Sequence, residues 1–174
     1  VVTTRAGTAG SCGSADGAVS SARFNYPVSV TVDGSGSVYV ADTNNHTIRK
    51  IAAGGVVTTL AGKAWSSGCA DVTGSAARFN SPHGVIVDSS GNVLVADNNN
   101  HTIRKITAGG VVSTLAGSAG ISSSADGTGS AARFSFPKGV AVDVSGNVFV
   151  ADTENHAIRK GVPSATPPTI TAQP

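Results

Sequence analysis

The stretch "FNSPHGVIVD" at 79–88 holds the one histidine of four that stands outside a repeated pattern. Its counterparts read "FNYPVSVTVD" at 24–33 and "FSFPKGVAVD" at 134–143. An imidazole directly after a proline is a candidate metal ligand or general base. The sister stretches carry Val28 and Lys138 in its place, and an ammonium there suits an anion or a developing oxyanion. The residues just before the proline differ as well: Tyr26, Ser81 and Phe136. Variation at two positions inside near-identical segments marks a place that the scaffold does not dictate. The plainer reading of His83 is a solvated polar side chain at the opening of a channel.

Other reactive residues recur too regularly to form one active site. Asp42/His46, Asp97/His101 and Asp152/His156 share one spacing, and a single centre has no use for three copies of a dyad. They read as turn and inter-strand hydrogen-bonding groups. Arg49–Lys50, Arg104–Lys105 and Arg159–Lys160 read as surface and inter-blade contacts. Arg23, Arg78 and Arg133 precede a phenylalanine in "SARF", "AARF" and "AARF", and fall on the same side as His83. Asp33, Asp88 and Asp143 begin tight turns, where Asp bonds its own backbone. No calcium-loop spacing is present. The glycine-rich loops lack the strand–loop–helix setting of a phosphate site. Cys12 and Cys69 form no metal motif and are left as a disulfide pair or two idle thiols. Trp65, the single tryptophan, falls in a variable loop and is a candidate contact residue.

Positioning such residues falls to short strands. The chain has 174 residues, 40% hydrophobic and 13% charged, with 22 glycines and a net charge of +2. That balance suits strands joined by small-residue turns, and argues against disorder and against a basic nucleic-acid surface. No apolar run is long enough to span a bilayer, and no signal peptide is recognisable. Phe24, Phe79 and Phe134 are 55 residues apart, as are Asp42, Asp97 and Asp152, so one unit is repeated three times. Within a unit, "VSVTVD", "SVYVAD", "HTIRKI" and "VVTTLA" alternate with period two, and Gly, Asn, Asp and Ser fill the gaps. Each unit is expected to be a four-stranded antiparallel meander, and stacking such sheets about an axis gives a β-propeller.

In "ARFNSPHGVIVDSSGNVLVADNNNHTIRKI" the chain resembles an NHL repeat, and the resemblance covers residues 1–162 in three copies. It implies an all-β propeller, commonly of six blades, of which this chain supplies three. Fourth-strand sequences occur at 1–5, 56–60 and 111–115, while Pro167 and Pro168 fall where the third blade needs its own. The expected assembly is a homodimer of half-rings, in which Val1–Arg5 of each chain completes the third blade of the other; the alternative is that these blades are part of a longer propeller. Residues 163–174 are expected to be a Pro/Thr-rich linker or the start of a following module. "PPTITAQP" is similar to the lead-in to immunoglobulin-like modules of secreted bacterial proteins, which implies an extracellular or periplasmic location.

Peptidylglycine alpha-amidating lyases, NHL-type propellers themselves, hold a channel zinc through histidines in P-H-G-like segments. By that resemblance His83, from both subunits of the dimer, would hold a divalent metal, and the Val85 carbonyl a calcium. Two functions are then expected. One is a scaffold that binds a small-molecule ligand or partner at its loop-rich face and channel mouth. The other is a metal-dependent channel enzyme, a hydrolase of esters, lactones or phosphotriesters before an amidating-type lyase. In the enzyme His83 would hold metal or act as base and Lys138 would stabilise an oxyanion. Tyr26, Phe136 and Trp65 would shape an apolar pocket.

Overall fold

A computed structural model describes residues 1–162, so the expected linker at 163–174 lies outside the described residues. Among the described residues eleven strands form three antiparallel sheets. Blade 1 contains β1 (Pro27–Val32), β2 (Val38–Asp42), β3 (Thr47–Ile51) and β4 (Val57–Gly62) in that order. Blade 2 repeats the arrangement with β5 (Pro82–Val87), β6 (Val93–Asp97), β7 (Thr102–Ile106) and β8 (Val112–Gly117). Blade 3 has β9 (Pro137–Val142), β10 (Val148–Asp152) and β11 (Ala157–Gly161), three strands where the unit's pattern calls for four. Its fourth position falls at residues 166–172 of the sequence, beyond those described. Val1–Arg5, expected as a strand, belongs to none within the protomer; Arg5 Nη2 donates to the Ala53 carbonyl at 2.6 Å.

The meanders form because each strand alternates β-branched residues between two faces, and blade 2 is buried by a neighbour on each face while blades 1 and 3 are buried on one. Tyr39, Ala41 and Ile48 of blade 1 pack against Phe79, Val85, Val93 and Val95 of blade 2. Ala96 and Ile103 of blade 2 meet Phe134 and Val150 of blade 3. The core is thus laid between blades, and the inner strands β1, β5 and β9 stand side by side.

The link from the second to the third strand is a 3-10 turn, which the alternation pattern did not foretell. Thr43–Asn45, Asn98–Asn100 and Thr153–Asn155 each end on a histidine in the left-handed region, at φ +58, +57 and +51. Gly62 and Gly117, both at φ +95, end β4 and β8. A Cβ there would stand 2.5 Å from the His46 or His101 carbonyl oxygen, so only glycine lets the fourth strand close on the third.

Candidate functional site

The repeated polar residues form a buried knot inside each blade. Asp42 accepts the Asn25 amide at 2.7 Å, Asn45 Nδ2 at 2.7 Å and Arg49 Nη1 at 2.8 Å. Arg49, wholly buried, also reaches Asp16 Oδ1 at 2.6 Å and the carbonyls of Arg23 and Ala15, and lies 5.1 Å over the Phe24 ring. Blade 2 repeats this with Asp97, Arg104, Asp71 and Phe79, and blade 3 with Asp152, Arg159, Asp126 and Phe134. The arginines are therefore interior tie-points, and the surface reading of Arg49 and Arg104 is corrected: each guanidinium is buried because two carboxylates and two carbonyls satisfy it. Asp16, Asp71 and Asp126 escaped the sequence reading, although "SADG", "CADV" and "SADG" recur at the same period. Burial pushes the Asp42 carboxyl up, and that of Asp97 to about 6, against the pull of their hydrogen bonds and arginines.

The repeated histidines join one blade to the next. His46 Nδ1 accepts the Ser81 amide at 3.1 Å, and His101 Nδ1 accepts the Phe136 amide at 3.2 Å. The Phe136 ring sits edge-on to His101 at 4.5 Å between centroids. An Nδ1 that accepts must be unprotonated, so these rings are neutral, and burial holds both below the ordinary histidine value. Tyr26, Ser81 and Phe136 all take positive φ, at 55, 52 and 47.

The varied positions converge where the repeats differ. Val28, Ser29, His83, Gly84, Lys138, Gly139 and Val140 line one cleft of about 300 Å³, drawn from the inner strands of all three blades. His83 is half-buried, and its Nδ1 lies 2.8 Å from the Ser81 carbonyl oxygen. A carbonyl only accepts, so Nδ1 carries a proton, and in the neutral ring Nε2 is then an acceptor. No carboxylate lines the cleft. Lys138 is exposed, and its charge is unopposed among the lining side chains.

Other expected contributors are placed elsewhere. Arg23, Arg78 and Arg133 fold back onto carbonyls of their own loops, as in Arg78 Nη1 to Ala77 O at 2.7 Å. Tyr26 and Phe136 stand exposed just ahead of β1 and β9, outside the cleft lining, and Ser81, half-buried ahead of β5, lies outside it too. Trp65 is exposed at φ +63, where the sister loops carry Gly10 and Gly120. Cys12 and Cys69 are both free and exposed. Among the described residues no three His, Cys, Asp or Glu side chains converge as a metal site. Within one protomer the cleft offers one imidazole beside an ammonium, which does not suit a cation. No helix among the described residues is long and apolar enough to cross a membrane.

Comparison with known proteins matches residues 24–51, 79–106 and 134–160 each to the NHL repeat. NHL repeat-containing protein 2 of Gallus gallus is 41% identical over 95 residues, covering 53% of this chain. The chain spans only 12 to 13% of the length of the curated relatives it matches. A structural genomics protein of unknown function from Bacteroides thetaiotaomicron superposes with a TM-score of 0.67 at 31% identity, over 72% of this chain and 32% of its own. An auxiliary nutrient binding protein from the same organism superposes with a TM-score of 0.67 at 25% identity, over 75% and 36%. With one matched repeat in each blade, the chain belongs to the NHL-repeat β-propeller proteins.

Proposed function

We propose that the chain is a binding propeller that takes a small anionic ligand, a carboxylate or phosphate, in the cleft between its inner strands. The observation that carries this is the lining itself: the ammonium of Lys138, with no carboxylate to oppose it. Lys138 supplies the charge, His83 a polar edge, and Val28 with Val140 the apolar wall. Similarity to an auxiliary nutrient binding protein supports a role in ligand capture, and an extracellular or periplasmic setting fits such a role. The test is a titration with inorganic phosphate and with citrate, followed by the His83 imidazole resonances. Saturable shifts that vanish in Lys138→Gln are expected. An unmoved His83 signal at millimolar concentrations of both anions would sink the reading.

A second reading, hydrolysis in the channel, has one observation in its favour: the bare Nε2 of His83 suits a general base or a metal ligand. A cation would need a second His83 from another copy. Metal content and cleavage of p-nitrophenyl acetate, compared between the wild-type chain and His83→Ala, separate the two. Metal or turnover that disappears in His83→Ala favours the enzyme.

A further inference from the structure

We propose that the third blade is finished by a second copy of this chain: residues 1–7 of one protomer lie antiparallel along β11 of the other. Two reciprocal exchanges then close two half-rings into one ring of six blades. This holds whether or not the cleft binds an anion.

The outer strands of blades 1 and 2 show what such a strand must bring. Val57 and Val112 are buried, and their amides donate to the carbonyls of Gly17 at 2.8 Å and Val72 at 3.0 Å. The amides of Thr59 and Thr114 donate to Asp16 Oδ2 at 3.0 Å and Asp71 Oδ2 at 2.9 Å. Gly62 and Gly117 end the strand at positive φ, pressed on the carbonyl oxygens of His46 and His101.

Blade 3 presents the receiving half of each contact. Asp126 holds Arg159 as its counterparts hold theirs, yet its side chain is 98% exposed. Ile158 is 74% exposed, where Ile48 and Ile103 are at 0% and 1% against the following blade. Asp126, Gly127, Ile158 and Arg159 lie along one groove of about 1020 Å³ between blades 2 and 3. Among the described residues β11 pairs with β10 alone, and its outer edge carries no strand.

"VVTTRAG" at 1–7 differs from "VVTTLAG" at 56–62 by one residue. It sets Val2 at the place of Val57, Thr4 at that of Thr59, and Gly7 at that of Gly62. Gly7 already holds φ +92, but the only side chain near its missing Cβ is Phe24, whereas Gly62 and Gly117 also meet a third-strand backbone. Val1 and Val2 are fully exposed. The segment at 163–172 departs from the outer-strand pattern of the other two units. Pro167 and Pro168 have no N–H at the places of Val112 and Ser113, and Ala172 stands where positive φ requires glycine. By the register of blade 1, Ala157 faces Gly7, Ile158 faces Ala6, Arg159 faces Thr4, and Lys160 faces Thr3 of the second copy.

The remaining two edges match in the same way. His156, Thr153 and Ile158 on blade 3 are the equivalents of His46, Thr43 and Ile48. Those residues grip blade 2 through His46 Nδ1 to the Ser81 amide and Thr43 Oγ1 to the Pro82 carbonyl at 2.7 Å. Their complements on blade 1 are the Tyr26 amide, the Pro27 carbonyl and the exposed Val30, which is 65% exposed against 4% for its sister Val85. A single protomer cannot join these edges, because they lie at opposite ends of a half-ring.

Native mass spectrometry and light scattering of the whole chain should give twice 17.1 kDa. Val2→Asp, which drives a carboxylate into the apolar groove, should weaken the dimer at least about tenfold. With Cys12→Ser and Cys69→Ser as background, Thr3→Cys with Lys160→Cys should form a disulfide on copper–phenanthroline oxidation, giving a dimer on non-reducing gels. Ending the chain at Val162 should leave the dimer intact. A stable monomer at micromolar concentration, or a crosslink that forms only within single chains, overturns the proposal. So does a dimer lost on removing residues 163–174.

Discussion

His46 and His101 serve as acceptors, not as acids or bases, and that gives a pH signature. Burial lowers both values below the ordinary one near 6.5. A depressed folded value contributes stability that is present above the unfolded value and lost as pH falls through the folded one. Unfolding midpoints should therefore drop on acidification below about pH 6.5. His101→Asn, which tolerates the left-handed backbone, should be less stable at neutral pH but flatter across that range. Asp97 acts in the opposite sense, since its folded value of about 6 lies above the ordinary 3.8. Its contribution is present at acid pH and lost as pH rises through 6, so the histidine effect must be read as the difference between wild type and variant. An identical pH slope in His101→Asn would remove the inter-blade role assigned to that ring. The varied residues were legible one by one, because Val28, His83 and Lys138 break an otherwise uniform repeat. That they share a cleft with Ser29, Gly84 and Gly139 was not, since those small residues announce nothing in sequence.

Each blade depends on one arginine crossing its third strand and one glycine ending its fourth. Arg104→Ala would strand the buried Asp97 carboxylate and should cost about 3–5 kcal/mol by urea denaturation. Arg104→Lys should recover only part of it, because an ammonium cannot serve Asp97, Asp71 and two carbonyls in one plane. Arg159, less deeply covered, should tolerate the same changes better. Gly117→Ala should destabilise by more than about 1 kcal/mol, as its Cβ would meet the His101 carbonyl. Gly91→Asn, at φ +78 with nothing near its missing Cβ, should be close to neutral. Equal losses for the two would show that conformation alone, and not the close approach, selects glycine at 117. Strand order and turn positions were readable from period-two alternation. The partners Asp16, Asp71 and Asp126 were not, because they come from a loop more than thirty residues away and only the blade's closure brings them to the arginine.

For the whole molecule, the outer strand proposed to be shared between two copies would make folding and association one process. The thermal midpoint should then rise with protein concentration, as mass action requires when the folded form is a dimer. A midpoint constant over a hundredfold concentration range would speak against that coupling. The sequence by itself determined the all-β class and the three-fold repetition, because alternation and period are properties of adjacent residues. Tertiary structure alone decided which polar groups are buried and which are free. It set two of the three interior arginines out of water, turned the repeated histidines into links between blades, and left His83 with a bare nitrogen beside Lys138. Burial and electrostatics depend on what other parts of the chain bring alongside, and no local pattern encodes that.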